Sequence, residues 1–371
     1  MIPVFKPSYG EEEIEALKEP FKTGWIGLGP KTKEFEKKFA EYIGVKYAVA
    51  TNSCTAALHL AMKVMRVEGY EVITTPLTFI STNHAIVYNN GIPVFADIYP
   101  DTLNINPDKI KKLITDRTRA IVAVHYGGHP CDMDLIKDIA KKHNLVVIED
   151  AAHGCGGEYK GQKIGSLGDI ACFSFHAVKN LATADGGMIT TDDPGIHSRL
   201  LKLRWMGISK DTWAREEKDK RYSWYYNVEE VGYKYHMNDI NAALGLVQLK
   251  KLDRMNDRRR EIIEKYNKEF ADLDWIETPI VKSYAKSACH NYVIKTKERD
   301  RLNIYLQEKG VSTGVHYIPN NHYQMYKNCR GETPVCEEIW TKLLTLPLFP
   351  DLTDSEVDMI VEKVKGFSSA R

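Results

Sequence analysis

Apolar residues recur along the chain at two spacings, and the switches between them lay out its elements. Phe35, Phe39, Tyr42 and Ile43 stand at i, i+4, i+7 and i+8, one stripe on a helix that Gly44 ends. After it, short β-branched runs at 47–50, 71–75, 93–97, 120–125, 145–149, 170–175 and 187–191 read as strands. Helical patterns near 55–64, 107–114 and 134–142 lie between them. From Val45 to Ile189 this alternation predicts an α/β fold of mostly parallel strands joined by crossover helices. Several strands end in polar residues, on the side where open α/β sheets bind ligands.

Beyond Arg199 the pattern becomes long helical stretches, above all 239–270, then one strand at 291–295 and a helix at 301–309, which suits a small α+β domain. The 371 residues exceed what one core of about 250–300 residues carries, so a large domain over 1–245 and a small one over 246–371 are expected. No repeat or Gly/Ser tether separates them.

Composition narrows the classes. With 51 Lys and Arg against 50 Asp and Glu, a net charge of +1 supplies no summed field to gather nucleic acid. Apolar residues at 43% and charged ones at 27% suit a globular chain that buries a core. No stretch has the 18 apolar residues of a membrane span, and the start at Met1 lacks a signal peptide's apolar segment, so a cytoplasmic location and no membrane contact are expected. Seven cysteines without C-x-x-C spacing suggest neither a disulfide framework nor a metal site.

Three segments carry candidate chemistry. In Thr51-Asn-Ser-Cys-Thr-Ala-Ala-Leu a short strand runs into a helix through small polar residues. The free amides of that helix start, with Ser53, Cys54 and Thr55 beside them, would cradle a phosphate, although such residues also cap helices that bind nothing. In Leu145-Val-Val-Ile-Glu-Asp-Ala-Ala-His a hydrophobic strand ends on Asp150, with His153 just beyond. In Phe173-Ser-Phe-His-Ala-Val-Lys-Asn a buried-looking strand breaks into a loop that carries Lys179 among small residues. Phosphate cradle, carboxylate and amine match the phosphate, ring nitrogen and aldehyde of pyridoxal phosphate. The carboxylate would keep the ring nitrogen charged, and the lysine would form an imine and later move a proton.

Nearly end to end, the sequence resembles the fold-type I sugar aminotransferases of the DegT/DnrJ/EryC1/StrS family. The likeness rests on Gly24-Trp-Ile-Gly27, Thr55-Ala-Ala-Leu-His, Pro76-Leu-Thr-Phe79, Val124-His-Tyr-Gly, Ile148-Glu-Asp-Ala-Ala-His153, Gly165-Ser-Leu-Gly-Asp169 and Phe173-Ser-Phe-His-Ala-Val-Lys179. It continues through Gly232-Tyr-Lys-Tyr-His-Met-Asn-Asp-Ile and Leu346-Pro-Leu-Phe-Pro.

The resemblance implies a large domain with a mostly parallel seven-stranded sheet and a small C-terminal α+β domain. It implies Lys179 as the imine-forming amine, Asp150 at the pyridine nitrogen and His153 by the ring hydroxyl. Phe79 would stack on the ring, and Cys54, Thr55 and Ser174 would hold the phosphate. It implies a homodimer with shared sites, in which Lys234, where many members carry Asn, or His236 reaches the partner's phosphate. Trp25, His316 and His322 are candidate substrate contacts on the same ground, though isolated histidines are more often structural. Asp185 stands where Glu is more usual.

The expected reaction is amination of a nucleotide-linked keto-deoxysugar, with L-glutamate as donor. C-4 is favoured over C-3 because His176-Ala-Val-Lys179-Asn looks like the C-4 enzymes. The alternatives are a dehydratase or other fold-type I lyase, whose dehydratase branch carries His where this chain keeps Lys179, and a non-catalytic regulator on the same fold. No G-x-G-x-x-G opens the first strand–helix unit, which disfavours a nicotinamide dehydrogenase. The aromatic run 222–226 reads as interface packing before sugar binding, and Arg258-Arg-Arg260 as a solvated helix face.

Overall fold

A computed structural model describes residues 1–209 and 226–367. In chain order the helices are α1 (Glu11–Thr23), α2 (Pro30–Ile43), α3 (Cys54–Val64), α4 (Ile80–Tyr88), α5 (Pro107–Leu113), α6 (Met133–His143), α7 (Pro194–Leu203), α8 (Asp239–Phe270), α9 (Arg299–Glu308), α10 (Pro334–Ile339) and α11 (Asp354–Phe367). The strands are β1 (Tyr47–Thr51), β2 (Glu71–Thr74), β3 (Ile92–Phe95), β4 (Thr118–Val124), β5 (Val146–Asp150), β6 (Glu158–Tyr159), β7 (Gln162–Lys163), β8 (Ile170–Ser174), β9 (Gly187–Thr191), β10 (Ala285–Lys286), β11 (Tyr292–Lys295) and β12 (Leu343–Leu346). Of the 222–226 run, only Tyr226 falls within the described residues. None of the described helices is long and apolar enough to cross a membrane.

Seven strands form the main sheet in the order β1-β9-β8-β5-β4-β2-β3. The neighbours from β8 to β3 are parallel, whereas β9 runs antiparallel to both β8 and β1. A parallel return needs a crossover helix, and the segment between Ser174 and Gly187 contains none, so β9 turns straight back. That return carries Lys179.

Successive strand residues bury opposite faces of the sheet. Val122, Ile148 and Ile189 pack beneath Leu58, Met62 and Leu200, while Ile121, Val147 and Val94 pack on Ile110, Ile136 and Ile139. Phe35, Phe39 and Ile43 of α2 complete that second layer over Phe173 and Met188, and Gly44, at φ 84°, closes the helix in the left-handed conformation. A further core gathers Tyr266, Phe270, Tyr292, Leu302, Leu344, Ile360 and Val364 around the antiparallel pair β11 and β12. Ile2 belongs to this core and bridges Val311.

The 32 residues of α8 run through both regions and cross the 245/246 position. Ala242, Leu246 and Leu252 pack with α2, and Ile262, Tyr266 and Phe270 enter the second core. Within this helix Arg259 is only 4% exposed, so the reading of 258–260 as a solvated face is corrected at its middle residue. The helical period turns one of three consecutive residues inward, while Arg258 stays outside with Glu261 and Asp354.

Candidate active site

The carboxyl end of β5 delivers Asp150 into a cavity of about 380 Å³ lined by Cys54, Thr55, Phe79, Thr82, His153, Ser174, Lys179 and His316, among others. Asp150 is 3% exposed; its Oδ2 accepts a hydrogen bond from the Thr82 hydroxyl at 2.7 Å and its Oδ1 one from the Ala152 amide at 3.1 Å. Burial pushes its carboxyl above the usual value, against the lowering effect of those bonds and of the Lys179 charge.

Glu149, the residue before it, points to the opposite face of β5. It accepts from His125 Nε2 at 2.9 Å and from the amides of Gly165, Leu167 and Gly168 at 3.0, 2.8 and 2.7 Å. The Gly165-Ser-Leu-Gly turn is thereby tied to the strand that holds Asp150. Burial alone would raise the Glu149 carboxyl; these donors keep it below its ordinary value.

Lys179 reaches the same cavity from the β8–β9 return, half-buried. Burial lowers its amine from 10.5 to about 8, opposed by Cys54 and Asp150. A substantial neutral fraction at physiological pH follows, as a nucleophile or base requires.

Ser53 caps α3 by accepting from the Ala56 amide at 3.1 Å, and Cys54 and Thr55 open the helix at the cavity wall. The first amides of a helix have no partner within it, which makes this wall an anion site. A Cβ at Gly187 would stand 2.5 Å from Ser53 O and 2.7 Å from Cys54 N, so only glycine lets β9 pass this close. Ser174, at the end of β8, lines the wall alongside, and Phe79, 56% exposed just before α4, offers its ring to the cavity.

His153 receives the Gly127 amide at Nδ1 over 3.3 Å, so its neutral ring carries the proton on Nε2 and donates to the Tyr317 hydroxyl at 3.1 Å. Burial, then the charge of Lys179, holds this ring well below the ordinary histidine range. His316 lines the same cavity and pairs through Nδ1 with Thr345 Oγ1 at 2.8 Å. Burial and Lys179 push it down to about 4.

Four of the expected residues lie elsewhere in this chain. Trp25 donates to Leu28 O at 3.0 Å and covers Gly29. His322 is exposed and pairs with Glu337 at 2.7 Å. Lys234 sits over the Trp205 ring at 3.4 Å, and His236 bridges Thr51 beside the same tryptophan. Conversely, Phe5, Thr78, Thr82 and Tyr317 line the cavity without having been singled out. Thr78 and Thr82, bonded at 2.8 Å, carried a faint signal in their i, i+4 spacing next to Phe79.

A buried acid, an amine of depressed basicity and a helix start around one cavity make the site of a fold-type I aminotransferase. The model of the DegT/DnrJ/EryC1/StrS aminotransferase family matches residues 7–365, and the chain belongs to that family. Spore coat polysaccharide biosynthesis protein SpsC of Bacillus subtilis is 43% identical over 376 residues, 98% of this chain and 96% of its own. The crystal structure of aminotransferase TlmJ from Streptoalloteichus hindustanus matches with a TM-score of 0.93 at 34% identity, over 100% of this chain and 99% of that one. Sugar aminotransferase Spr1654 of Streptococcus pneumoniae, in its PMP form, matches with a TM-score of 0.94 at 33% identity over 100% of both chains.

Aminotransferases of this family use pyridoxal 5′-phosphate, and the residues present fit it. The partners of Asp150 leave a buried carboxylate that a cationic ring nitrogen would match, and the opening of α3 is kept clear by Gly187.

Proposed function

We propose that this aminotransferase moves an amino group from glutamate to the ketone of a nucleotide-linked deoxysugar, at C-4 in preference to C-3. The observation that carries the reading is one cavity uniting Lys179, Asp150 and the α3 start in a chain of this family. SpsC, named for polysaccharide biosynthesis, and Spr1654, a sugar aminotransferase, support a sugar as acceptor. The His176-Ala-Val-Lys179-Asn stretch supports C-4.

In this reading the amides at the α3 start, with Cys54, Thr55 and Ser174, hold the phosphate. Asp150 would hold the ring nitrogen, His153 would serve the ring hydroxyl and Phe79 would cover the ring face. Bound there, the cofactor supplies an electron sink for charge developing on the substrate carbon. With the cofactor bound, Lys179, neutral in part near pH 8, would act as the base that takes and returns the substrate's proton. His316 and Tyr317 line the same cavity, where a sugar would lie. Retention of Lys179 favours transamination over the dehydratase alternative.

A second copy of the chain completes the site, with Lys234 or His236 reaching the partner's phosphate; neither lines the cavity of its own chain.

The reading is tested by absorbance of the purified protein with added cofactor. A visible band that glutamate bleaches and that Lys179→Ala abolishes is expected, with candidate sugar nucleotides then restoring it. A band unchanged in Lys179→Ala overturns the role of the lysine, and a band indifferent to glutamate overturns the donor.

A further inference from the structure

Lys179 has a neighbour that the chemistry above leaves unused. Nε2 of His290 lies 3.5 Å from Lys179 Nζ, and its Nδ1 lies 3.0 Å from Asn180 Oδ1. Asn180 commits its amino group to Asn256 Oδ1 at 2.8 Å and Ala288 O at 2.6 Å. Its carbonyl oxygen is therefore the atom facing His290, and the imidazole carries its proton on Nδ1. Nε2 then presents a lone pair to the lysine. Asn256 is fixed in turn by donating to Cys155 O at 3.0 Å.

The ring cannot swing away. Phe5 stacks on it at 5.2 Å with 4° between planes, the His153 ring lies 4.3 Å off, and the His290 amide donates to Gly127 O at 3.0 Å. Burial first, then the Lys179 charge, holds His290 well below the ordinary histidine range. It stays a neutral acceptor and does not take the lysine's proton.

We propose that His290 is a positioning residue for Lys179: by accepting one amine hydrogen it turns the free lone pair of the lysine away from the protein wall and into the cavity. The inference rests on the reading of Lys179 as the cofactor's amine. An acceptor stabilises an ammonium more than an amine, so His290 also offsets part of the burial that lowers Lys179.

The test follows the reductive methylation of Lys179 against pH in the cofactor-free, full-length protein by mass spectrometry. The unmutated chain should show a midpoint at about 8. His290→Phe keeps a ring against Phe5 and removes the acceptor, so its midpoint should fall by about one pH unit. With cofactor restored, its kcat should drop about tenfold with little change in KM for the donor. His290→Gln, which restores an acceptor, should lie near the unmutated values. An unmoved midpoint in His290→Phe, or equal effects of both substitutions, overturns the proposal. In the unmutated chain, nitrogen NMR of labelled histidine should show the Nδ1–H form at His290, and an Nε2–H form overturns it without any variant. Failure here leaves the Lys179→Ala spectrum intact, whereas failure of the underlying reading shows as a cofactor band that survives Lys179→Ala.

Discussion

If Lys179 is the cofactor's amine, as proposed, its desolvation sets when the protein can take the cofactor up. Only the neutral amine adds to an aldehyde, and its fraction grows as pH rises through the folded value of about 8, well below the ordinary 10.5. Loading of the cofactor-free protein should therefore accelerate from pH 7 to 9 with a half-rise near 8, followed by stopped-flow absorbance. A half-rise near 10.5 would show that the amine is solvated. Lys179, Asp150 and the Ser53-Cys54-Thr55 start were legible in the sequence because each sits where a hydrophobic strand breaks, a local mark. Thr82, Tyr317 and His290 were not. Thr82 reaches the cavity from a helix face, and Tyr317 and His290 come to the site from chain more than 100 residues away, as the bonds Thr82–Asp150, Tyr317–His153 and His290–Asn180 show.

Helix ends tie the elements together. Asp239, the first residue of α8, caps α2 from outside: its Oδ1 accepts from the amides of Gly29 and Thr32 at 3.0 and 2.9 Å and from the Thr32 hydroxyl at 2.7 Å, and its Oδ2 accepts from the Lys31 amide at 3.0 Å. A carboxylate on three amides also meets the positive end of the helix dipole. Asp239→Ala should destabilise the fold by about 2 kcal/mol, read as a lower urea midpoint with unchanged slope; an unmoved midpoint would mean that water replaces the cap without cost. The Asn238-Asp239 pair thus has a structural role within the Gly232–Ile240 motif, with Asn238 capping α8 itself. Sequence periodicity found α8 with its observed ends and most sheet strands within two residues. It missed the antiparallel direction of β9, because direction is set by the absence of a crossover and not by the strand's own residues. It also missed β12, whose four residues hold no alternation to read.

For the whole molecule, near-zero net charge leaves anion binding to local devices: a helix start and a few placed cations. If a second copy supplies one of those cations, two different lesions can complement each other. Lys179→Ala and Lys234→Ala proteins, each weak alone, should regain activity when unfolded together and refolded as a mixture, since hybrid dimers hold one intact site. No gain on mixing would mean that Lys234 does not act in the partner's site.

The path of the chain also limits how this protein can be recombined with its relatives. Because α8 packs in both cores and Ile2 pairs with Val311, a crossover at position 245 would cut one helix between two parents and strand the amino terminus on the wrong one. A chimera that exchanges the second core should therefore take residues 1–9 from the same parent as 271–367, and keep α8 whole.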